Sequence, residues 1–186
     1  MKVLLTLLVI ISVVAVWLVI IYNRLIKLRN LCMEGWSGID VQLKRRANLI
    51  PNLLETVKGY MRHEKDVFRE VTEARAKALS AGSVAERGQG ESMLTASLRS
   101  LFAIAENYPV LKANENFQDL QRQLAEIEDQ IQKARRYYNA TVRDFNTAIE
   151  VFPNLIVASL FQFKKKDFFE LTDPRERKVP KVDFGS

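Results

Sequence analysis

The chain has 186 residues, of which 48% are hydrophobic, and only seven glycines and five prolines, so it is neither disordered nor fibrous. This length allows one domain of ordinary size and an anchor. The single cysteine excludes an internal disulfide bond. The formal net charge of +6 is modest, and such a charge can reflect contact with nucleic acid or with an anionic membrane surface.

The N-terminal segment is predicted to cross a membrane as a helix. From Val3 to Ile21 the chain carries no charge, and Thr6 and Ser12 are the only polar side chains. About 19 helical residues are enough to cross roughly 30 Å of hydrocarbon. A cleaved signal peptide would end in small residues, and a lipid-anchored chain would need a cysteine directly after the apolar run, whereas Cys32 comes later. We therefore assign residues 1–24 as a transmembrane anchor.

The charges on either side of this segment predict its orientation. Lys2 lies before the segment, and Arg24, Lys27 and Arg29 follow it. Positive charges favour the cytoplasmic side of a membrane. We therefore expect the N-terminus outside and the following domain in the cytoplasm. An extracytoplasmic domain is the alternative.

A long amphipathic helix is predicted after the anchor. Gly35 and Gly38 indicate a flexible joint, and apolar residues then recur at helical spacing from Ile39 to Ala78. Pro51 interrupts this stripe, because proline lacks a backbone donor and crowds the carbonyl group of Ala47. Since the stripe continues in phase on both sides of Pro51, we expect the helix to kink there and not to restart.

A loop and a shorter helix are predicted next. The small and polar residues from Ser80 to Gln89 are typical of a loop. A helix is expected from roughly Met93 to Glu106. The sequence Asn107-Tyr108-Pro109 ends it, because the residue before a proline avoids helical backbone angles.

The strongest helical periodicity lies between Phe117 and Ile149, where apolar residues recur every three or four positions. Asn114 or Asn116 can cap the start of this helix. Such a pattern is typical of a coiled-coil seam or of ordinary core packing in a bundle, and we favour the second. The predicted fold is therefore all-α. Residues 25–170 should form an elongated antiparallel bundle of three to four helices, with residues 171–186 as an extended tail.

A run of lysines near the C-terminus, Lys164–Lys166, lies among phenylalanines at 161, 163, 168 and 169. Aromatic rings at the headgroup boundary, with lysines facing anionic lipid, are typical of a membrane-surface element. The alternative is that the phenylalanines close one end of the bundle while the lysines face water. The candidate residues for contact with the membrane surface are Arg24, Lys27, Arg29, Phe161, Phe163, Lys164, Lys165 and Lys166.

The residues of common catalytic and metal sites are missing from the sequence. His63 is the only histidine, so neither a zinc-protease helix nor the paired Glu-x-x-His motifs of a di-iron bundle can form. Cys32 has no histidine nearby in the sequence and is expected to be a passive thiol. Gly88 and Gly90 lack the third glycine of a dinucleotide-binding fingerprint, because Met93 occupies its place. We therefore expect no catalytic residue, no metal site, no cofactor and no enzymatic activity.

The charged runs of the helices are not expected to bind nucleic acid or to act in catalysis. The basic runs Lys44–Arg46 and Arg135–Arg136 are interrupted by acids and lack a nucleic-acid-binding pattern, so nucleic acid is not an expected partner. The acidic cluster of Glu126, Glu128 and Asp129 is typical of a solvated helix face with local ion pairs.

Recognisable sequence blocks occur in order along nearly the whole chain: Tyr22-Asn23, Trp36-Ser37, Gln42–Arg46, Leu49–Leu53, Glu55–Tyr60, His63-Glu64, Ala74-Arg75, Ala105–Pro109, Leu111–Asn114, Asn116-Phe117, Ala134–Asn139, Phe145-Asn146, Phe152-Pro153 and Pro180–Phe184. Through these blocks the chain bears a resemblance to the LemA family of bacterial membrane proteins. This resemblance implies an anchor in the bacterial inner membrane, an elongated helical bundle and no enzymatic activity. Some relatives carry a lipoprotein signal in place of the anchor, which would put their domain outside the cytoplasm.

Two functions remain as hypotheses. The first is a membrane-tethered scaffold or adaptor that organises membrane or partner proteins; its partners would be the lipid bilayer and a second copy or another membrane protein. The alternative is a sensory module that binds a small ligand between bundle helices. A sensor normally passes its signal to an output domain, and only about two residues are expected on the far side of the membrane. We therefore favour the scaffold.

Overall fold

The computed structural model describes residues 1–170, and its fold is the predicted all-α helical bundle. Six helices occur in this range, and no strand does. Their bounds are α1 Lys2–Lys58, α2 Lys65–Ser80, α3 Val84–Ala105, α4 Pro109–Lys112, α5 Glu115–Glu150 and α6 Asn154–Leu160. The extended tail predicted for residues 171–186 lies outside the described residues.

The chain divides into two compact units. Unit 1 comprises Met1–Asp40 and Gln132–Phe168, and unit 2 comprises Val41–Ile131 with Phe169 and Glu170. Both α1 and α5 contribute residues to each unit. The core of unit 1 contains Leu25, Cys32, Ile39, Tyr138, Val142, Phe145, Ile149 and Val157. The core of unit 2 contains Ile50, Leu53, Val57, Met61, Val71, Leu94, Leu98, Leu101, Leu111 and Phe117.

Helix α1 continues through the two glycines that were expected to form a joint, so that prediction is wrong. At Gly35 an added Cβ would lie 3.1 Å from the Cα of Tyr138 on α5, so the glycine permits a close approach of the two backbones. No neighbouring atom lies within 4 Å of such a Cβ at Gly38. A glycine in a helix interior costs about 1 kcal/mol of stability relative to alanine, and packing along the helix outweighs this cost for both glycines.

The proline inside α1 is accommodated by a hydrogen bond from α2. Pro51 has no N–H group to donate to the carbonyl oxygen of Ala47. The Nε–H of Arg75 donates to that oxygen at 2.7 Å and so satisfies it. The helix does not restart at Pro51, as predicted from the uninterrupted phase of the apolar stripe.

The apolar stripe from Ile39 to Ala78 belongs to two helices, and the prediction of one helix is wrong. Helix α1 ends at Lys58, and α2 begins at Lys65. Met61 is fully buried within the connection, so the stripe stays in phase although the helix is broken. Periodicity reports which side chains are buried, and it does not report whether the backbone between them is helical.

Helix α3 begins within the segment that was predicted as a loop, so the prediction of a loop as far as Gln89 is wrong. Ser83 is the N-cap, and its Oγ accepts a hydrogen bond from the N–H of Glu86 at 3.2 Å. The carboxylate of Glu86 in turn accepts from the N–H of Gly82 at 2.9 Å. This arrangement is close to a capping box, for which Ser-x-x-Glu is the sequence signal.

The two glycines of α3 make close helix packing possible. An added Cβ at Gly90 would lie 2.7 Å from the Cα and 3.0 Å from the N of Ala78 on α2. An added Cβ at Gly88 would overlap the carbonyl oxygen of Glu170. Both glycines are buried in unit 2. Their role is therefore structural, and the absence of a third glycine is irrelevant to it.

Two glycine-to-alanine substitutions in helix interiors are expected to have opposite effects. Gly38→Ala should stabilise the protein by about 0.5–1 kcal/mol, because the site is open and alanine restricts the unfolded chain. Gly90→Ala should destabilise it by about 1–3 kcal/mol, because the new Cβ meets backbone atoms of α2 that cannot move alone. Thermal unfolding of the full chain in detergent measures both. Stabilisation by Gly90→Ala would contradict the close packing of α2 and α3.

The longest predicted helix after the anchor agrees with the structure. Helix α5 spans Glu115–Glu150, against a prediction of Phe117 to Ile149. Asn114 caps it, because its Oδ1 accepts a hydrogen bond from the N–H of Phe117 at 3.0 Å. Asn114 was one of the two predicted caps.

Candidate membrane-proximal surface

The N-terminal part of α1 is long and apolar enough to cross a membrane. Its most apolar window of 18 residues has a mean hydropathy of 3.2 and is almost entirely exposed. The first buried side chains of α1 are Ile21 and Leu25, which are 7% and 0% exposed and belong to the core of unit 1. The packed core of unit 1 therefore begins directly where the apolar segment ends.

The end of α6 directs the chain back toward α1 through a tight turn. Gln162 has a φ of 54°, in the left-handed region. The N–H of Phe163 donates to the carbonyl oxygen of Ala158 at 2.9 Å, and the N–H of Gln162 donates to that of Ser159 at 3.2 Å. These two bonds form a Schellman motif, which ends a helix and turns the chain.

The turn places two phenylalanines against α1. The ring of Phe161 lies 4.7 Å from that of Tyr22, and the ring of Phe163 lies 6.0 Å from it. Phe163 also packs edge-on against Phe145 of α5. The guanidinium carbon of Arg29 lies over the ring of Phe163, 5.8 Å from its centroid. The structure therefore brings together three of the candidate residues, because Phe161 and Phe163 contact Tyr22 and Arg29 contacts Phe163.

Side chains of α5 hold the backbone of the lysine run against that helix. Asn146 accepts a hydrogen bond from the N–H of Lys166 and donates one to its carbonyl oxygen, both at 2.9 Å. The hydroxyl of Tyr138 donates to the carbonyl oxygen of Asp167 at 2.9 Å. Because these bonds use only the backbone of the segment, the side chains of Lys164, Lys165 and Lys166 remain exposed.

The remaining candidates occupy more separate positions. Arg24 and Lys27 are exposed on α1, two and five residues beyond Tyr22, and no described contact joins them to the lysine run. Lys165 forms an ion pair with Glu150 at the end of α5.

The four phenylalanines near the lysine run differ in how far they are buried. Phe161 and Phe168 are exposed, Phe163 is partly buried in unit 1, and Phe169 is fully buried in unit 2.

The sequence pattern missed the residues that hold this segment in place. Asn146, Tyr138 and Gln162 were not among the candidates, although the first two occur in the Phe145-Asn146 and Ala134–Asn139 blocks. Helix α6 was missed as well. A Phe-Pro pair followed by seven residues without charge was the available signal for a short helix.

Cys32 is a buried thiol next to the same core. It is 2% exposed, and burial raises its pKa, an effect that a hydrogen bond with Thr141 partly opposes. A buried thiol with a raised pKa is poorly reactive, because the thiolate is the nucleophile. This environment agrees with the expected passive role.

A second cluster of polar side chains is buried in unit 2. Arg46 of α1 is 4% exposed, and its Nη1 lies 3.6 Å from Glu91 of α3 and 3.2 Å from Glu128 of α5. Its Nη2 donates to the hydroxyl of Thr95 at 2.8 Å. Burial raises the pKa of Glu91 to about 7, against the opposing effect of the guanidinium groups of Arg46 and Arg87.

This ionic cluster corrects one sequence prediction, which placed Glu128 on a solvated acidic face. Arg46 is buried and Glu128 is partly buried, whereas Glu126 and Asp129 are exposed as predicted. Because Arg46 and Glu91 are 45 positions apart in the chain, local charge patterns could not show that they meet.

Neither site has the residues of a metal centre. Within residues 1–170, no group of three or more His, Cys, Asp and Glu side chains could hold a metal ion. A cleft of about 350 Å³ lies on unit 2. Its lining consists of Gln42, Arg45, Glu126, Ile127, Asp129 and Gln130.

Comparison with known proteins identifies the family. Residues 35–184 match the LemA family. The chain is 24% identical to the magnetosome protein MamQ of Magnetospirillum gryphiswaldense and to MamQ 2 of Paramagnetospirillum magneticum, in each case over 80% of this chain. It is 26% identical to the protein LemA of Metamycoplasma hominis, over 87% of this chain and 72% of that protein.

The chain spans 64% of the length of each MamQ protein that it matches. The family match, by contrast, covers most of the chain and includes α2 to α6 together with α1 from Gly35 onwards. All three relatives are bacterial proteins. With an all-α fold and one apolar N-terminal helix, this membrane-associated helical protein belongs to the LemA family.

Proposed function

We propose that this protein is a membrane-tethered helical scaffold or adaptor. The first part of α1 anchors it in a bacterial inner membrane, and the bundle binds and organises partner proteins or the membrane itself. Its partners are the lipid bilayer and a second copy of the chain or another membrane protein. Nucleic acid is not among them, and no step of catalysis is part of the function.

The observation that carries this proposal is the continuity of α1. The same helix supplies the exposed apolar segment and, from Ile21 onwards, the core of unit 1. A helix without a break couples an anchor firmly to the domain that follows it. Such coupling suits a protein that holds a binding surface at a set distance from a membrane. The relatives named as magnetosome proteins support a role at a membrane.

The charges on either side of the apolar segment support a cytoplasmic bundle. Arg24, Lys27 and Arg29 are exposed just beyond the apolar segment, whereas Lys2 is the only charged side chain before it. The positive-inside bias places the bundle in the cytoplasm. An extracytoplasmic bundle is the competing orientation.

The sensory alternative has less support. The interior of unit 2 is filled by apolar side chains and by the ionic cluster around Arg46. The cleft beside Arg45 is lined mainly by polar and charged residues that water can solvate. A scaffold therefore accounts for the described residues better than a ligand sensor does.

Anchorage and orientation are tested with one cysteine reporter. Ser100 is exposed on α3, and Cys32→Ser removes the native thiol. The Ser100→Cys protein should stay in the membrane pellet after alkaline carbonate extraction. An impermeant thiol reagent should label it only after the cells are opened. Release into the supernatant would refute the anchor, and labelling of intact cells would place the bundle outside.

Scaffolding is tested by photo-crosslinking in living cells. A photo-reactive side chain at Gln130, which is exposed on α5, should yield discrete adducts with a second copy or a membrane protein. Glu73, exposed on α2, provides the second position. If neither position yields an adduct and a metabolite raises the melting temperature of the protein, the sensory function would replace the scaffold.

A further inference from the structure

Helix α6 exposes an apolar face to its surroundings. Leu155, Ile156 and Leu160 are 50%, 53% and 69% exposed, and their spacing puts them on one side of the helix. The opposite side, which contains Asn154, Val157 and Ala158, is buried in unit 1. Phe152 and Phe161 flank the exposed side and are 79% and 53% exposed. These five residues, Phe152, Leu155, Ile156, Leu160 and Phe161, are called here the α6 apolar face.

This face is too large to be treated as scattered surface leucines. Single exposed apolar side chains are common in soluble proteins, but a contiguous group of them marks an interaction site. A helix that is apolar on its exposed side and packed on the other has two faces to bury. The core of unit 1 covers one of them.

The end of α6 lies close to the apolar segment of α1. Phe161 contacts Tyr22, and Tyr22 directly follows the apolar segment of α1. Since a helix rises 1.5 Å per residue, the end of α6 lies about one turn or less from the end of the membrane span. Aromatic residues at such a position lie at the level of the lipid headgroups.

The charges beside the face match an anionic surface. Lys164, Lys165 and Lys166 follow the face directly, and Arg24 and Lys27 are exposed on α1 beyond Tyr22. Glu150 offsets part of this charge through its ion pair with Lys165. Exposed lysines near an anionic bilayer are attracted to its surface.

We propose that the α6 apolar face inserts into the headgroup boundary of the bilayer that α1 crosses, with Lys164 to Lys166 contacting anionic lipid. This proposal rests on the proposed function, because it requires the anchor. It adds a second membrane contact, which would hold unit 1 against the bilayer surface. The partner is the anionic lipid of the same membrane and not a second protein.

The test uses the full chain with Cys32→Ser and one fluorescent label, reconstituted in phosphatidylcholine vesicles with or without phosphatidylglycerol. The label is attached at Ile156→Cys. Val110→Cys in α4, which is 72% exposed in unit 2, is the matched control, and Val9→Cys in the apolar segment reports on anchorage. Quenching is measured with lipids brominated on the acyl chains and with aqueous iodide.

At position 156 we expect several-fold stronger quenching by brominated lipid than at position 110, with several-fold weaker quenching by iodide. Phosphatidylglycerol should increase the quenching by brominated lipid at position 156. Replacement of the three lysines by glutamine should reduce this increase. Quenching at position 156 by iodide but not by brominated lipid would overturn the proposal, provided that position 9 remains quenched by lipid. Failure at position 9 would instead refute the anchor.

A second copy of the chain is the competing occupant of this face. In that case, the label at position 156 would be shielded from iodide without being quenched by brominated lipid. Its fluorescence would also change with the ratio of protein to lipid. That outcome overturns the lipid contact and assigns the face to self-association.

Discussion

Replacement of Arg46 by alanine is expected to destabilise the protein by about 3–5 kcal/mol, because it leaves a buried carboxylate without its partner. Glu91 is 2% exposed and depends on Arg46 as one of two nearby guanidinium groups. Glu128 loses the same partner but remains partly accessible to water. Thermal or denaturant unfolding of the full chain in detergent measures the effect.

Arg45→Ala is the matched control for this substitution. Arg45 is the neighbouring residue, it is exposed, and its described hydrogen bond is to Gln42 of the same helix, at 3.2 Å. Loss of such a surface interaction should change stability by less than about 0.5 kcal/mol. Equal losses of stability in Arg45→Ala and Arg46→Ala would mean that the ionic cluster is not formed.

The effect of Arg46→Ala should also depend on pH. In the folded protein the pKa of Glu91 is raised to about 7, from an ordinary value of 4.5. A raised carboxyl pKa means that stability falls as the pH rises between these two values, because the folded state retains the proton longer. Loss of Arg46 raises this pKa further. The destabilisation should therefore be larger at about pH 8 than at about pH 5.

A double substitution separates charge from packing in this cluster. Arg46→Met combined with Glu91→Leu removes both buried charges and keeps most of the side-chain volume. Replacement of a buried ion pair by apolar residues is often neutral or stabilising. We therefore expect the double variant to be more stable than Arg46→Ala and to lose the pH dependence of Glu91. A double variant as unstable as Arg46→Ala would indicate that Arg46 acts through its shape and not its charge.

Phe145→Ala should lower the free energy of unfolding by a similar amount, about 3–5 kcal/mol, for a different reason. Phe145 is 1% exposed in the core of unit 1, and its ring packs edge-on against Phe163 at 6.3 Å. Its removal loses the transfer energy of a large apolar side chain and leaves a cavity. It also removes the contact that holds Phe163, and with it the start of the lysine run.

Trypsin provides a second readout for this substitution. Cleavage after Lys164, Lys165 or Lys166 should become faster in Phe145→Ala, because the segment is held less firmly against α5. Tyr137→Ala is the control, since Tyr137 is an aromatic residue of the same helix but is 47% exposed. If the melting temperature falls and cleavage at the lysines is unchanged, the segment is held by Asn146 and Tyr138 alone.

Structural features could be predicted from the sequence where a local pattern of residues was sufficient. The apolar segment, the bounds of α5 and its cap by Asn114 depend on residues that are close together in sequence. The same holds for the end of α3 before Pro109. Helix periodicity and capping are local properties, so a single sequence reports them well.

Predictions failed where two local signals competed. Small and polar residues favoured a loop as far as Gln89, but the Ser83–Glu86 cap starts a helix, and Gly88 and Gly90 then fit closely against other backbone. The stripe from Ile39 to Ala78 favoured one helix, but the chain turns after Lys58 while keeping its phase. In the first case a local cap outweighed a loop-like composition, and in the second the apolar phase did not report the break in the backbone.

By itself the sequence determined that this is an all-α protein of the LemA family, with an apolar segment long enough to span a membrane. Only the tertiary structure decided which charged and aromatic residues are buried. Arg46 lies next to two exposed cations in sequence yet pairs with carboxylates from two other helices, and Phe169 is buried although it follows the exposed Phe168. Burial of a charge or a ring depends on partners that are remote in the chain, and no local pattern encodes them.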